Sequence, residues 1–282
     1  MSIIQPNADV YIPDGVDFEE ALKRTTHLAV GAHQDDLEIM AFDGILKCFE
    51  REDMWFMGIV LTNGGGSPRD GAFKDTTDEE MQEVRRIEQK KAADIGKYGA
   101  LAQLDYPSSV VKDNSQSGPV DDLEALIELA QPEVVYLHNP ADKHDTHVAA
   151  FLRALTALRN LPRDIRPDEA YGCEVWRDLD WLPDEYKIAF DVSARPELQS
   201  ALLEVYESQI SGGKRYDLAT LGRRRANATY YASHGTDTAT SMIYAMDLMP
   251  LVKDANLDIK MYVGGHIDRF GEKVDDTLDR LG

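Results

Sequence analysis

The sequence is short of cysteine, of positive charge and of long apolar runs, and each shortage removes a class of function. Only Cys48 and Cys173 occur in 282 residues. They stand far apart and outside any metal or redox spacing, so no disulfide framework or cysteine zinc site is expected. Thirty Lys and Arg against 51 Asp and Glu leave a formal charge of −21 at pH 7. That balance argues against nucleic acid and against an anionic membrane as partners, since both require basic patches. No apolar run approaches the ~20 residues of a bilayer span, and the first twenty residues hold no signal-peptide apolar core, so a cytoplasmic location is expected. Neither G-x-G-x-x-G nor G-x-x-x-x-G-K-[ST] follows the first strand, which removes the main support for dinucleotide and P-loop readings. What is there, 43% hydrophobic and 29% charged residues, is ordinary for a globular chain able to bury a large core.

The first half alternates short apolar runs with longer amphipathic stretches, the pattern of βα units on a parallel sheet. Strands are predicted at 27–32, 55–62, 101–104, 133–137, 171–176 and 187–192. Helices are predicted at 38–51, 78–97, 120–130, 146–159, 197–209 and 216–231, with a long loop over 105–119 and an illegible acidic tail after Val252. No linker divides the chain, so the expected fold is one α/β unit: a Rossmann-like three-layer α/β/α sandwich with a mostly parallel sheet. Residues 160–282 depart from simple alternation.

In such sheets ligands collect at the carboxyl ends of the strands, and three polar clusters fall there. Ala32-His33-Gln34-Asp35-Asp36-Leu37-Glu38 places an imidazole and two carboxylates on one turn. That donor set suits Zn²⁺ or another borderline divalent ion, with a neighbouring carboxylate left over as a base; a helix cap with solvated acids is the plainer alternative. His144-Asp145-Thr146-His147 sets two histidines three apart at a helix start, on a shared side, although exposed histidines flanking a cap would look the same. Asn63-Gly64-Gly65-Gly66 alone reads as a tight strand-to-helix turn.

At these residues a family resemblance becomes visible. Ala32 to Glu38 resembles the A-H-P-D-D-x-E motif of the LmbE-like (PIG-L) zinc N-deacetylases, and His144 to Ala150 resembles their second histidine motif. Leu61-Thr62-Asn63-Gly64-Gly65 is similar to the family's strand-end T-x-G segment, and Arg85-Arg86-Ile87-Glu88 to its R-x-x-E helix. The likeness covers about Thr26 to Arg159, with a faint continuation over 191–209. Gln34 stands where the family has proline, so that turn lacks the ring's rigidity and is expected either to be more mobile or to make another contact. Past Trp176 no substrate-shaping segment aligns.

The resemblance implies one domain over 1–282, with 160–282 shaping the substrate site. It implies that His33, Asp36 and His147 bind zinc, or another divalent ion such as Fe²⁺, with a position left for water. Asp35 would be the general base and His144, as imidazolium, the oxyanion donor or acid. Arg85, ahead of Arg86, would contact a small N-acylated amino-sugar-like substrate. The implied activity is a metal-dependent amide hydrolase, an N-deacetylase. The alternatives are a noncatalytic metal or sugar binder of the same fold and a metal hydrolase acting on another amide or ester. A homo-oligomer is implied too. Elsewhere His138 reads first as a turn histidine and only then as a partner behind a metal ligand, and His27 as a core histidine. Arg223-Arg224-Arg225 reads as a solvated helix face ahead of a phosphate or carboxylate contact, and Trp176 as core packing ahead of a sugar-stacking ring; His234 is a candidate pocket residue and His266 has no context.

Overall fold

The computed structural model describes residues 3–282. Eight strands form a single sheet: β1 (Asp9–Tyr11), β2 (His27–Gly31), β3 (Phe56–Thr62), β4 (Ala100–Tyr106), β5 (Val134–His138), β6 (Glu169–Cys173), β7 (Lys187–Asp191) and β8 (Met242–Asp247), in the order β1-β4-β3-β2-β5-β6-β8-β7. The central pairs β4–β3, β3–β2, β2–β5 and β5–β6 are parallel, whereas β1 and β8 pair antiparallel with their neighbours. Twelve helices accompany them: α1 (Phe18–Lys23), α2 (Asp36–Met40), α3 (Phe42–Cys48), α4 (Asp78–Gly96), α5 (Ser108–Lys112), α6 (Gly118–Ala130), α7 (Asp145–Asn160), α8 (Pro196–Glu204), α9 (Glu207–Ile210), α10 (Tyr216–Tyr230), α11 (Met249–Lys253) and α12 (Ile259–Leu281). This is the α/β sandwich the alternation predicts.

The strands are apolar on both faces because both faces are covered. Leu28 and Val30 of β2 and Met57, Ile59 and Leu61 of β3 face a core completed by α1, α6 and α7. The intervening Ala29, Phe56 and Val60 face a second core built with α2, α3 and α8. The chain runs from β2 through β3 to β4, then returns to place β5 on the other side of β2. The crevice at the carboxyl ends of β2 and β5 is therefore the topological switch point where such sheets bind ligands.

Several boundaries differ from the sequence expectation, with physical causes. The helix predicted over 38–51 breaks at Ala41 (φ −112°, ψ 20°) into α2 and α3. The carbonyls of Glu38 and Ile39, left without helical partners by the break, accept bonds from the Arg224 guanidinium at 2.7 and 3.1 Å. Arg224 is thus a buried cap rather than a solvated residue. The helix predicted over 197–209 divides into α8 and α9 at Tyr206, whose hydroxyl turns inward to Glu38. A short helix, α5, interrupts the expected loop after β4; β8 and α12, absent from the sequence reading, complete the sheet edge and the tail. Among the described residues no helix is long and apolar enough to cross a membrane.

Candidate metal centre and cleft

Strand β2 ends into a turn that holds its first three polar residues in fixed and different directions. Asp35 sits in the left-handed region (φ 93°), a strained conformation for a non-glycine residue that persists only when its surroundings hold it. Here Gln89 accepts the Asp35 backbone N–H at 3.2 Å and passes its own amide hydrogen to Glu38 at 2.9 Å. Glu38, wholly buried, also accepts from the hydroxyls of Tyr98 and Tyr206, each at 2.6 Å. Gln34 is buried as well, donating to the Thr62 carbonyl at 3.2 Å and to Gln103 Oε1 at 3.3 Å. Those bonds tie the turn to β3 and β4 where a proline could not.

Strand β5 delivers the second half of the site. His144 caps α7, its Nδ1 accepting the Thr146 N–H at 3.3 Å, and His147 lies one turn further along. His33 Nδ1 and His147 Nε2 approach to 3.3 Å; Asp36 Oδ2 stands 3.4 Å from the former and Oδ1 3.4 Å from the latter. One ligand atom from each of the three residues lies within 4.8 Å of the others, with Asp36 reaching the two imidazoles through its two different oxygens. That spacing can close onto a tetrahedral ion, whose ligands at ~2.0–2.1 Å lie about 3.3–3.4 Å apart. The two imidazole nitrogens face each other and can share only one proton between them, so the pair is better satisfied by a cation. A second grouping of His138, Asp142 and His147 shares one residue with the first. The Ala32 N–H already occupies His138 Nε2 at 3.0 Å, and neither His138 nor Asp142 lines the cleft, whereas His33, Asp36 and His147 all do.

The charge states point the same way. Burial alone would raise the Asp36 carboxyl, but His147, His138 and the bonds it receives hold it well below the usual range. Burial pushes the His33 imidazole down to about 4, so it is neutral and free to ligate at neutral pH. For His147 burial is outweighed by the Asp36 and Asp142 carboxylates, and its affinity for positive charge is raised. An anionic Asp36 beside a histidine drawn toward the charged form is a site that seeks a cation. Asp35 moves the opposite way from Asp36: burial raises it well above the carboxylate range, countered in part by Arg85. Two adjacent aspartates whose environments drive them apart in this manner suit different roles.

Arg85, on α4, is buried against the cleft wall, with its guanidinium 3.3 Å from Asp35 Oδ2 and bonded to the Gln34 carbonyl and Ser67 Oγ. Arg86 turns away to Asp105 at 2.9 Å. Gly64 allows this packing: its φ is +72°, and a Cβ there would stand 2.5 Å from Gln34 Oε1 and 2.9 Å from Arg85 Cδ. The cleft has a volume of about 640 Å³, and all six predicted site residues, His33, Asp35, Asp36, Arg85, His144 and His147, line it.

Other parts of the site escape the sequence reading. His138 is fully buried and stacks on His147 with centroids 4.1 Å apart, so it lies under the centre rather than in an ordinary turn. Asp142 receives the backbone N–H groups of His144 at 2.9 Å and Trp176 at 3.0 Å, and stands 3.6 Å from His147 Nδ1. An acid two residues before His144 is a signal that could have been noticed, because metal-binding histidines are commonly oriented by a carboxylate. Trp176 lines the cleft beside His144, with centroids 5.8 Å apart, instead of filling the core. Tyr216 stands edge-on to it at 6.0 Å, and Arg223 bonds the carbonyls of Val175 and Trp176. No local pattern announces these residues, which come from separate segments. His234 is exposed and outside the cleft, and His27 is buried in the sheet.

Burial, with His147, lowers the pKa of His144, which favours the neutral imidazole over the imidazolium at neutral pH. With Nδ1 accepting from Thr146, its proton is on Nε2, and a neutral N–H can still donate to an oxyanion.

Residues 28–158 match the family PIG-L, described as GlcNAc-PI de-N-acetylase. Over 152 residues the chain is 25% identical to the uncharacterized deacetylase YaiS of Escherichia coli K12, covering 53% of this chain and 77% of YaiS. Its fold is similar to that of GalB, the 4-carboxy-2-hydroxymuconate hydratase of Pseudomonas putida KT2440, with a TM-score of 0.61 at 17% identity over 79% of this chain and 95% of that one. It is also similar to N,N'-diacetylchitobiose deacetylase from Pyrococcus horikoshii, with a TM-score of 0.59 at 15% identity over 87% and 92% of the two chains. The two structures speak for the fold, and since one is a hydratase and one a deacetylase, the reaction must be argued from the site.

Proposed function

Starting from a chain whose residues 28–158 match the PIG-L family, we propose that the cleft is the active site of a metal-dependent hydrolase that removes an N-acyl group, acetyl foremost, from an amino sugar or a related small amine. The observation that carries this reading is the His33–Asp36–His147 triangle with a separate, oppositely shifted carboxylate, Asp35, beside it. His33, Asp36 and His147 hold the divalent ion, zinc by the chemistry of two imidazoles and one carboxylate. When bound, the ion supplies Lewis acidity for the substrate carbonyl and makes water acidic at neutral pH. A pure binding site has no use for a spare carboxylate such as Asp35.

Asp35 takes the proton from the attacking water and returns it to the leaving amine; a carboxyl raised toward neutrality performs both transfers better than an ordinary one. Arg85 and the Gln89–Glu38 relay hold Asp35 in its strained turn, and Arg85 meets the substrate from the same wall. His144 donates from Nε2 to the oxyanion as it forms. Trp176 and Tyr216 offer flat apolar faces to a sugar ring, and residues 160–282 serve as the substrate-shaping part of one domain. Arg85, Lys112, Lys214, Arg215 and Arg223 line the cleft against only Asp35 and Asp36, an excess of positive charge in a chain of net charge −21. That inversion supports a substrate with an acidic substituent.

Elemental analysis of the purified protein, combined with free-amine detection over N-acetylated sugars with and without a phosphate group, tests the proposal. Near-stoichiometric divalent metal and amine release are expected, with His147→Ala losing both. Metal bound without amine release from any sugar would favour a binding protein, or water addition to a double bond as in the hydratase of similar fold.

A further inference from the structure

Under the start of α12, at the β7 edge of the sheet, lies a second cavity of about 670 Å³ that shares no lining residue with the cleft. Small-molecule sites are commonly of this size. Its floor is apolar: Ile188 from β7, Met246 from β8, and Pro250, Leu257 and Met261 from the run between α11 and the first turn of α12. Three rings stand over that floor. Tyr186 and Tyr262 meet the His266 imidazole edge-on, at 69° and 87°, with centroids 4.9 and 5.0 Å apart. Tyr262 is held in place by its hydroxyl, which donates to the Asp247 carbonyl at 2.6 Å. Rings set nearly at right angles form a corner of faces and edges, which suits a further flat ring.

Two features of this wall weaken the fold without a structural return. His266 is only 6% exposed, and its Nδ1 is buried with no hydrogen-bond partner among the described residues. A buried polar atom left unpaired is costly. Burial and the Arg269 guanidinium lower the imidazole's pKa and favour the neutral ring, which offers one N–H donor and one lone pair. Gly264 and Gly265 stand side by side inside α12, where only proline is a poorer helix former. Apart from the helix's own backbone, a Cβ on Gly265 would meet only Arg269 Nη1, at 3.5 Å. Close packing therefore does not demand glycine there; its missing side chain opens the cavity to the helix backbone, since Gly265 is part of the wall. The charges around the cavity are matched with one exception. Glu185 pairs with Lys273 at 3.3 Å and Lys187 with Asp184 at 2.7 Å, and Asp247 Oδ1 accepts the Met249 N–H at 2.8 Å. Arg269 has no carboxylate partner among the described residues, and its guanidinium lies over the Tyr186 ring at 5.3 Å. A planar guanidinium with its donors free is the group that best takes a carboxylate.

We infer that this cavity is a second ligand site, built for a small aromatic carboxylate whose ring lies among Tyr186, Tyr262 and His266 and whose carboxylate is held by Arg269. The ligand's ring covers the apolar floor and reaches the helix backbone at Gly265. A neutral aromatic would leave Arg269 unmatched, and an aliphatic acid would forgo the ring contacts. The inference stands on this cavity alone and is independent of what the cleft catalyses.

Calorimetric titration of the full chain with 2-naphthoate is expected to give a Kd of about 1 mM or tighter. The neutral 2-naphthamide and the non-aromatic cyclohexanecarboxylate should each bind about tenfold more weakly or worse. Arg269→Gln should weaken naphthoate binding by about tenfold or more, and Gly265→Leu should abolish it by filling the cavity. Gly265→Ala adds a single methyl and favours the helix, so its urea midpoint should not fall while its affinity drops. In proton NMR of the parent, the His266 ring signals, identified by their loss in His266→Phe, should shift as naphthoate is added. Trp176→Ala, which alters the cleft, should bind naphthoate as the parent does. No binding up to about 10 mM, equal affinity for the amide, or unchanged affinity in Arg269→Gln would each overturn the inference. So would binding that survives Gly265→Leu but is lost in Trp176→Ala, because the naphthoate would then sit in the cleft.

Discussion

The two sides of the cleft are built by different rules. On the β2–β5 side, chemistry-bearing residues arrive in contiguous runs, His33 to Glu38 and Asp142 to His147, each following a parallel strand. On the other side, Trp176 follows the last parallel strand, β6, and Gln209, Tyr216 and Arg223 reach the cleft from α9 and α10, between the antiparallel pair β7 and β8. The first side is a turn geometry in which neighbouring residues must hold set angles to one another. The second is a wall, satisfied by any residues of suitable shape and charge. Reaction should therefore follow the first side and selectivity the second, a division that substitutions can break.

The largest effect is expected at Asp35. Asp35→Asn keeps the metal and the fold, yet turnover should fall by roughly 10²–10⁴ with the proton acceptor gone. Single-turnover kinetics with parallel metal analysis checks this; parental turnover would take Asp35 out of the mechanism. His144→Ala comes next, losing on the order of 10²–10³ in kcat and kcat/KM together, as for removal of one oxyanion donor. If burial keeps His144 neutral, the fractional loss should be the same at about pH 7 and about pH 9. A loss confined to the lower pH would restore the imidazolium. If the variant shed its metal as readily as His147→Ala, His144 would be a ligand.

Trp176→Ala addresses the opposite wall. A rise in KM of about tenfold with kcat nearly unchanged is expected, since stacking on a sugar is uniform binding energy. A kcat collapse instead would mean that the second side shares in the chemistry. The smallest change concerns Glu38, whose carboxyl is raised by burial to about 7, against the lowering effect of Tyr206, Tyr98 and Gln89. Between its unfolded value near 4.5 and about 7 the folded state holds more protons than the unfolded. Stability from this group is therefore present at low pH and lost as pH rises through that window. Glu38→Gln keeps a neutral acceptor and should flatten this part of the profile, seen as urea midpoints that no longer fall between about pH 5 and about pH 8.

The sequence alone determined the alternating α/β plan and picked out six residues that line one cleft, though not His138 and Asp142 beside them. Apolar runs bounded by polar turns mark buried parallel strands, and residues brought together by one turn are adjacent in sequence. It also marked Gln34 as a departure that left the turn either more mobile or bound by another contact, and the amide makes such a contact with β3 and β4. Long-range packing decided what pattern could not carry. Whether the helix after Asp36 runs on or breaks depends on a guanidinium 186 residues later capping the freed Glu38 carbonyl. Whether Arg85 or Arg86 faces the cleft depends on Asp35 and Asp105 competing from opposite sides of α4. The tendency of His144 toward the neutral form follows from its burial beside His147, and the Thr146 N–H on Nδ1 leaves its proton to Nε2. A propensity or a motif expresses what neighbours in the chain do to one another; the state of a side chain is set by neighbours in space, and those were decided by how the sheet placed β5 beside β2.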